Sequence, residues 1–76
     1  MEQFVLTFTQ CTEDSTPRYP VIAFAQVVTT HKSAAAALLA VASDYLDEPP
    51  KHSVLECHRW VDGAQKDRTF RIEFDR

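Results

Sequence analysis

The sequence predicts an α+β domain in two layers, a four-stranded, mostly antiparallel sheet packed against one helix, in the order ββαββ. Three observations carry this. Ser33–Tyr45 (SAAAALLAVASDY) is the only run long enough and rich enough in helix formers to sustain a helix. Two strand-like segments precede it and two follow it. The final pair is joined by Asp62-Gly63, a hairpin turn signal.

In Gln3–Gln10, Phe4, Leu6 and Phe8 alternate with Val5, Thr7 and Thr9, the period-two pattern of a half-buried strand. Cys11–Arg18 (CTEDSTPR) is polar, contains Pro17 and holds Glu13 and Asp14, so an exposed hairpin loop is expected there. Tyr19–Thr29 is apolar on both sides, with Val21, Ala23, Ala25 and Val27 opposite Ile22, Phe24 and Val28. A strand buried on both faces has this composition, and so does one whose outer face meets a partner.

Thr30 is the expected N-cap of the helix, with Ser33 as the alternative. Ala35, Leu38, Leu39, Ala42, Tyr45 and Leu46 recur at three- and four-residue spacing and form the stripe expected to lie on the sheet. Ala34 to Ala42 is an unbroken apolar run, so the outer side of this helix lacks polar cover until Ser43 and Asp44. Two readings follow: a stable helix with a small-residue surface, or a helix that packs on a second protein or a second copy. Asp47, Glu48, Pro49 and Pro50 end it, because proline can neither donate to the helix ladder nor tolerate a helical residue before it.

Ser53–Val61 alternates again, with Leu55, Cys57 and Val61 on one side and Glu56, His58 and Trp60 on the other. The turn DGAQKD leads to Arg68–Asp75, the cleanest alternation in the chain, with Phe70, Ile72 and Phe74 inward and Thr69, Arg71, Glu73 and Asp75 outward. Packing of Leu38 and Leu39 on Phe4, Phe8, Phe70, Ile72 and Phe74 is expected to supply most of the stability.

A chain of 76 residues has room for one core, so residues 1–76 form a single domain. At 45% hydrophobic residues it can build that core without metals or crosslinks. Cys11 and Cys57 are too few for a disulfide framework, which points to reduced thiols and a cytoplasmic protein. The start MEQFVLTF lacks a basic segment and a long apolar one, so neither a signal peptide nor a membrane span is expected. The net charge of −3 divides unevenly: residues 1–50 carry two basic and six acidic side chains, whereas residues 51–76 carry six basic and five acidic. The basic footprint that nucleic-acid binding requires is missing.

His52, Cys57 and His58 are metal-ligand types, but adjacent strand residues point to opposite faces and no CxxC or HxxxH spacing completes a tetrahedral set. No metal or cofactor is expected; Cys57 reads as a small core residue and the histidines as surface groups. Glu56 and His58 share a face with Arg71 and could form an acid–base pair, although ordinary cross-strand pairing explains the same residues. Neither cysteine sits where a thiolate would be favoured, and the single glycine, Gly63, cannot make a phosphate-cradling loop. Catalysis is therefore not expected.

Trp60 is the residue that points most clearly to binding. Alternation places it on the wet face with Glu56, His58, Arg71 and Glu73, an aromatic anchor among charges of both signs. A one-residue slip or bulge would instead turn it over the core edge. A nucleic-acid reading of the C-terminal hairpin, with Trp60 stacking and Arg59, Lys66, Arg68 and Arg71 on phosphates, meets interleaved Glu56, Asp62, Asp67, Glu73 and Asp75.

Val27-Val28-Thr29-Thr30 leading into Ser33-Ala34-Ala35-Ala36-Ala37, between two hairpins in under eighty residues, resembles the layout of small phage-encoded proteins, among them some anti-CRISPR proteins. The resemblance is one of architecture and transfers no site residue. It implies an inhibitor, encoded by a phage or mobile element, that occupies a surface of a host nuclease complex without catalysis of its own. Mimicry of nucleic acid is not implied, because DNA-mimicking members carry far more Asp and Glu than these eleven. The functional expectation is thus a protein-binding module with partner contacts at Glu56, His58, Trp60, Arg71 and Glu73, with a small nucleic-acid-binding module as the alternative. A homodimer through the alanine-rich helix or the outer sheet face is a further expectation.

Overall fold

The first strand in the chain lies inside the sheet, and every other element is placed by it. The computed structural model describes residues 1–11 and 21–74; the polar loop expected around Glu13, Asp14 and Pro17 lies outside the described residues, as do Asp75 and Arg76. Strand β1 (Glu2–Cys11) pairs antiparallel with β2 (Val21–His31) on one side and with β3 (Ser53–Val61) on the other. Strand β4 (Ala64–Phe74) pairs antiparallel with β3, which gives one open sheet of order β2-β1-β3-β4. Helix α1 (Ala34–Asp47) connects β2 to β3, which run parallel to one another across β1. The expected ββαββ two-layer α+β architecture is the one observed.

The core lies between α1 and the sheet. Phe4 and Leu6 of β1, Ala37 and Ala42 of α1, and Leu55 and Cys57 of β3 are buried together, with Phe8, Leu38, Val41, Tyr45, Phe70 and Phe74 packed around them. Tyr45 meets Phe8 and Phe74 edge-on, with ring centroids 4.9 and 5.7 Å apart, an arrangement the aromatic quadrupole favours. Across the pair β1/β3, Leu6 faces Cys57 and Phe8 faces Leu55, so the inward rows of the two strands coincide as their alternation predicts.

Several boundaries differ from the sequence expectation. Thr30 does not cap the helix: β2 continues pairing through Thr30 opposite Gln3 and His31 opposite Glu2. Ser33 is the N-cap, in extended conformation, and its hydroxyl accepts the Ala36 N–H at 3.1 Å while its carbonyl accepts the Ala37 N–H at 3.0 Å. At the other end the Glu48 N–H donates to Asp44 O at 3.2 Å, and Pro49 and Pro50 then prevent a further turn. Strand β4 starts at Ala64, four residues earlier than the alternation suggested, because AQKD continues the ladder instead of looping out.

The helix is also rotated from its expected setting. Ala37 and Ala42 are buried, Ala34, Leu38, Val41 and Tyr45 pack beside them, and Ala35 is exposed; Leu39, assigned to the core, is 67% exposed. In an alanine run no polar residue marks the outer side, and the smallest side chains take the closest approach to the sheet, which leaves Leu39 outside.

The last hairpin turns at Asp62 and Gly63, both with positive φ (53° and 76°), between Val61 and Ala64, which face each other. Two consecutive left-handed residues are the signature of a type I′ turn, whose twist matches that of the flanking strands. A Cβ at Gly63 would meet nothing within 4 Å, so the objection to any other residue is conformational rather than steric. Gly63→Ala is accordingly expected to lower the unfolding free energy by about 1–2 kcal/mol, read by urea denaturation; an unchanged midpoint would contradict the turn geometry.

Candidate functional site

Helix α1 covers one face of the sheet, and no described element covers the other. Register assigns the residues of that second face row by row. Gln3 lies between Thr30 and Trp60, with Gln65 beyond; Val5 lies between Val28 and His58, with Arg68 beyond; Thr7 lies between Gln26 and Glu56, with Arg71 beyond. Val54, next to Thr9, is followed by Glu73. The five residues expected to share a face, Glu56, His58, Trp60, Arg71 and Glu73, are therefore brought together, all on the helix-free side.

Trp60 is half-buried there and is not part of the core. The feature the alternation did not announce is Val5, fully buried although it belongs to the uncovered face. Val28 and His58 stand directly opposite it, Gln3 and Thr7 flank it along the strand, and Trp60 is a diagonal neighbour. Large cross-strand and diagonal neighbours of this kind shield a valine on a sheet face. The run Phe4-Val5-Leu6, three apolar residues where alternation asks for two, is the signal that both faces are apolar at this point.

His58 is half-buried rather than a plain surface group, and its Nδ1 is enclosed without a hydrogen-bond partner. Beside it, Glu56 Oε2 lies 3.7 Å from Arg68 Nη1, not paired with Arg71, which stands opposite it in the ladder. Arg71 instead forms an ion pair with Glu73 two residues along its own strand, on the same face. Gln26 donates from Nε2 to Thr7 Oγ1 at 3.3 Å. The face thus carries a patch of Trp60, Val5 and Val28, separated from Val54 by the row that holds Thr7, Glu56 and Arg71, and bordered by two internally neutralised ion pairs. Exposed pairs of this kind contribute little to stability and exchange readily for other charges.

Arg59 lies on the helix side, opposite Phe4, where its Nε is 3.2 Å from Glu2 Oε1 and its Nη1 is 3.6 Å from Asp67 Oδ1. It is separated by the sheet from Arg68 and Arg71, so the basic residues of the last hairpin do not form one surface. Among the described residues, no group of three or more His, Cys, Asp or Glu converges as a metal site would need. Among the same residues, no helix is long and apolar enough to cross a membrane.

Cys57 is buried in the core as a free thiol. Burial pushes its pKa up, opposed in part by a hydrogen bond from the Thr69 side chain, whose Oγ1 also lies 3.1 Å from the Cys57 carbonyl. A thiol whose folded pKa is raised contributes stability fully present below its unfolded value and lost as pH rises through the folded one. In a Cys11→Ser background, unfolding free energy is therefore expected to be level through neutral pH and to fall above about pH 8.5. Cys57→Ala should lose that alkaline slope, and an equal slope in both proteins would show that other groups cause it.

No family model matches the chain, and no curated protein and no solved structure matches it.

Proposed function

We propose that this chain is a non-enzymatic protein-binding module that docks a partner through the helix-free sheet face, with Trp60 as the anchor. The observation that supports this is the placement of Glu56, His58, Trp60, Arg71 and Glu73 on one face that no described element covers, with His58 and Trp60 beside Val5 and Val28. An aromatic side chain on a rigid ladder loses little conformational entropy on docking, and the surrounding Arg–Glu pairs can be re-paired by a partner's charges to fix orientation. Because Arg68 and Arg71 are each neutralised by a carboxylate on the same face, a protein surface fits this site better than a phosphate backbone. The action we propose is steric, and the partner class to try first is a host defence complex of the CRISPR-Cas type, the class the architectural resemblance suggests.

The test is affinity capture with the purified chain from lysates of cells that carry such systems, followed by mass spectrometry and by nuclease assays on the complexes recovered. A protein complex retained by the wild type, released by Arg71→Ala and slowed in its nuclease reaction is the expected result. Recovery of nucleic acid alone, with affinity that falls steeply as salt is raised, would replace this reading with the nucleic-acid one.

A further inference from the structure

The two edges of the sheet differ in a way that the proposed binding face does not explain. Edge strands expose a row of unpaired N–H and C=O groups, and proteins that stay monomeric blunt them with charge, proline or bulges. Strand β4 is blunted: it carries Lys66, Asp67, Arg68, Arg71 and Glu73, and its register against β3 is interrupted twice, between Cys57 and His58 and between His58 and Trp60. Strand β2 has none of these devices along most of its length. Val21–Thr30 contains no charged residue and no proline, its register against β1 is unbroken from His31 back to Ala23, and among the described residues no strand pairs with its outer edge. Its middle is exposed on both faces, at Ala25 and Val27 on the helix side and Gln26 and Val28 on the other.

We infer that β2 is a self-pairing edge: two copies of this chain join β2 to β2 antiparallel about a two-fold axis, making one continuous eight-stranded sheet. Three features select a second copy as the occupant. A two-fold axis sets a strand against itself, so a charged edge would meet its own charge, whereas this one carries no ionisable side chain from Val21 to Thr30. The antiparallel arrangement also sends the two His31-Lys32 ends to opposite extremes of the joint, ~33 Å apart for a ten-residue span, where a parallel one would set them side by side. Finally, the dimer has β4 at both outer edges, and these are charged and irregular, so the assembly closes at two copies instead of growing into a fibre. Docked strands would cover Val27 and Val28, and the two Trp60 faces would lie on the same side of the shared sheet.

The joint is tested by light scattering on eluting wild-type protein over a concentration series, beside Gln26→Lys/Val28→Lys and Gln26→Glu/Val28→Glu. The expected mass is that of two chains for the wild type, of one chain for each variant alone, and of two chains again when the oppositely charged variants are mixed. A wild type that stays monomeric throughout the series, or a lysine variant that remains a dimer, overturns the inference. Should the variants not fold, amide exchange on the wild type decides: protection of β2 amides that rises with protein concentration supports the joint, and concentration-independent protection overturns it. Partner capture through Trp60 does not require the joint, so the failure of one reading is distinguishable from that of the other.

Discussion

Leu55→Ala is expected to destabilise the fold by about 2–5 kcal/mol, as removal of a fully buried leucine does when its surroundings cannot collapse into the space. Leu55 is completely enclosed, stands opposite Phe8 on one side and Ile72 on the other, and so contributes to the packing of both hairpins. For a domain of this length the whole stability is roughly 4–11 kcal/mol at ~0.05–0.15 kcal/mol per residue. The variant should therefore be partly unfolded at room temperature, with a denaturation midpoint far below that of the wild type. Leu39→Ala is the matched control: its side chain is exposed, so a change within about 0.5 kcal/mol is expected. Equal losses from the two variants would mean that the helix sits in the rotation its leucines suggest and not in the one observed.

Trp60→Ala has the largest effect expected on binding. An aromatic anchor at the centre of an interface carries about 2 kcal/mol or more, so affinity for a captured partner should fall at least thirtyfold. The fold should survive, because Trp60 is half-buried on the helix-free face and lies outside the core cluster, although the substitution also uncovers part of Val5. Titration by calorimetry or surface-immobilised partner, with circular dichroism beside it, separates the two effects. Undiminished affinity in a folded Trp60→Ala protein would remove this face from consideration, and an unfolded variant would make Trp60 a structural residue.

Where period-two alternation was clean, the sequence was a faithful guide. Phe4, Leu6 and Phe8, then Leu55 and Cys57, identified the inward rows of β1 and β3, and Asp62-Gly63 identified the turn between β3 and β4. Placing Glu56, His58 and Trp60 on one face needed only that alternation, and the register with β4 then added Arg71 and Glu73. The misses share one cause, which is that local pattern does not report long-range pairing. Thr30 has cap chemistry, but its backbone is held by Gln3 across the ladder, so Ser33 takes the cap. Leu39 has core chemistry, but a helix flanked by alanines gives no sign of which side it will bury. Arg71 was placed on the face of Glu56 and His58, and it stands opposite Glu56 in the ladder, but side-chain reach decides the ion pairs: Arg68 meets Glu56 and Arg71 turns to Glu73. The apolar character of β2 was legible, yet its position at the sheet edge follows from strand order, which no segment of sequence states.

The strand at the heart of the sheet is also the earliest of the four to leave the ribosome. Its first neighbour follows directly, but its second, Ser53–Val61, is more than forty residues behind. At about 5–20 residues per second, the nascent hairpin waits some seconds with the edge of β1 that β3 will pair still open. During that interval its unpaired edge is open to the mispairing that chaperones prevent. A transcript cut before the last hairpin would leave that waiting state permanent.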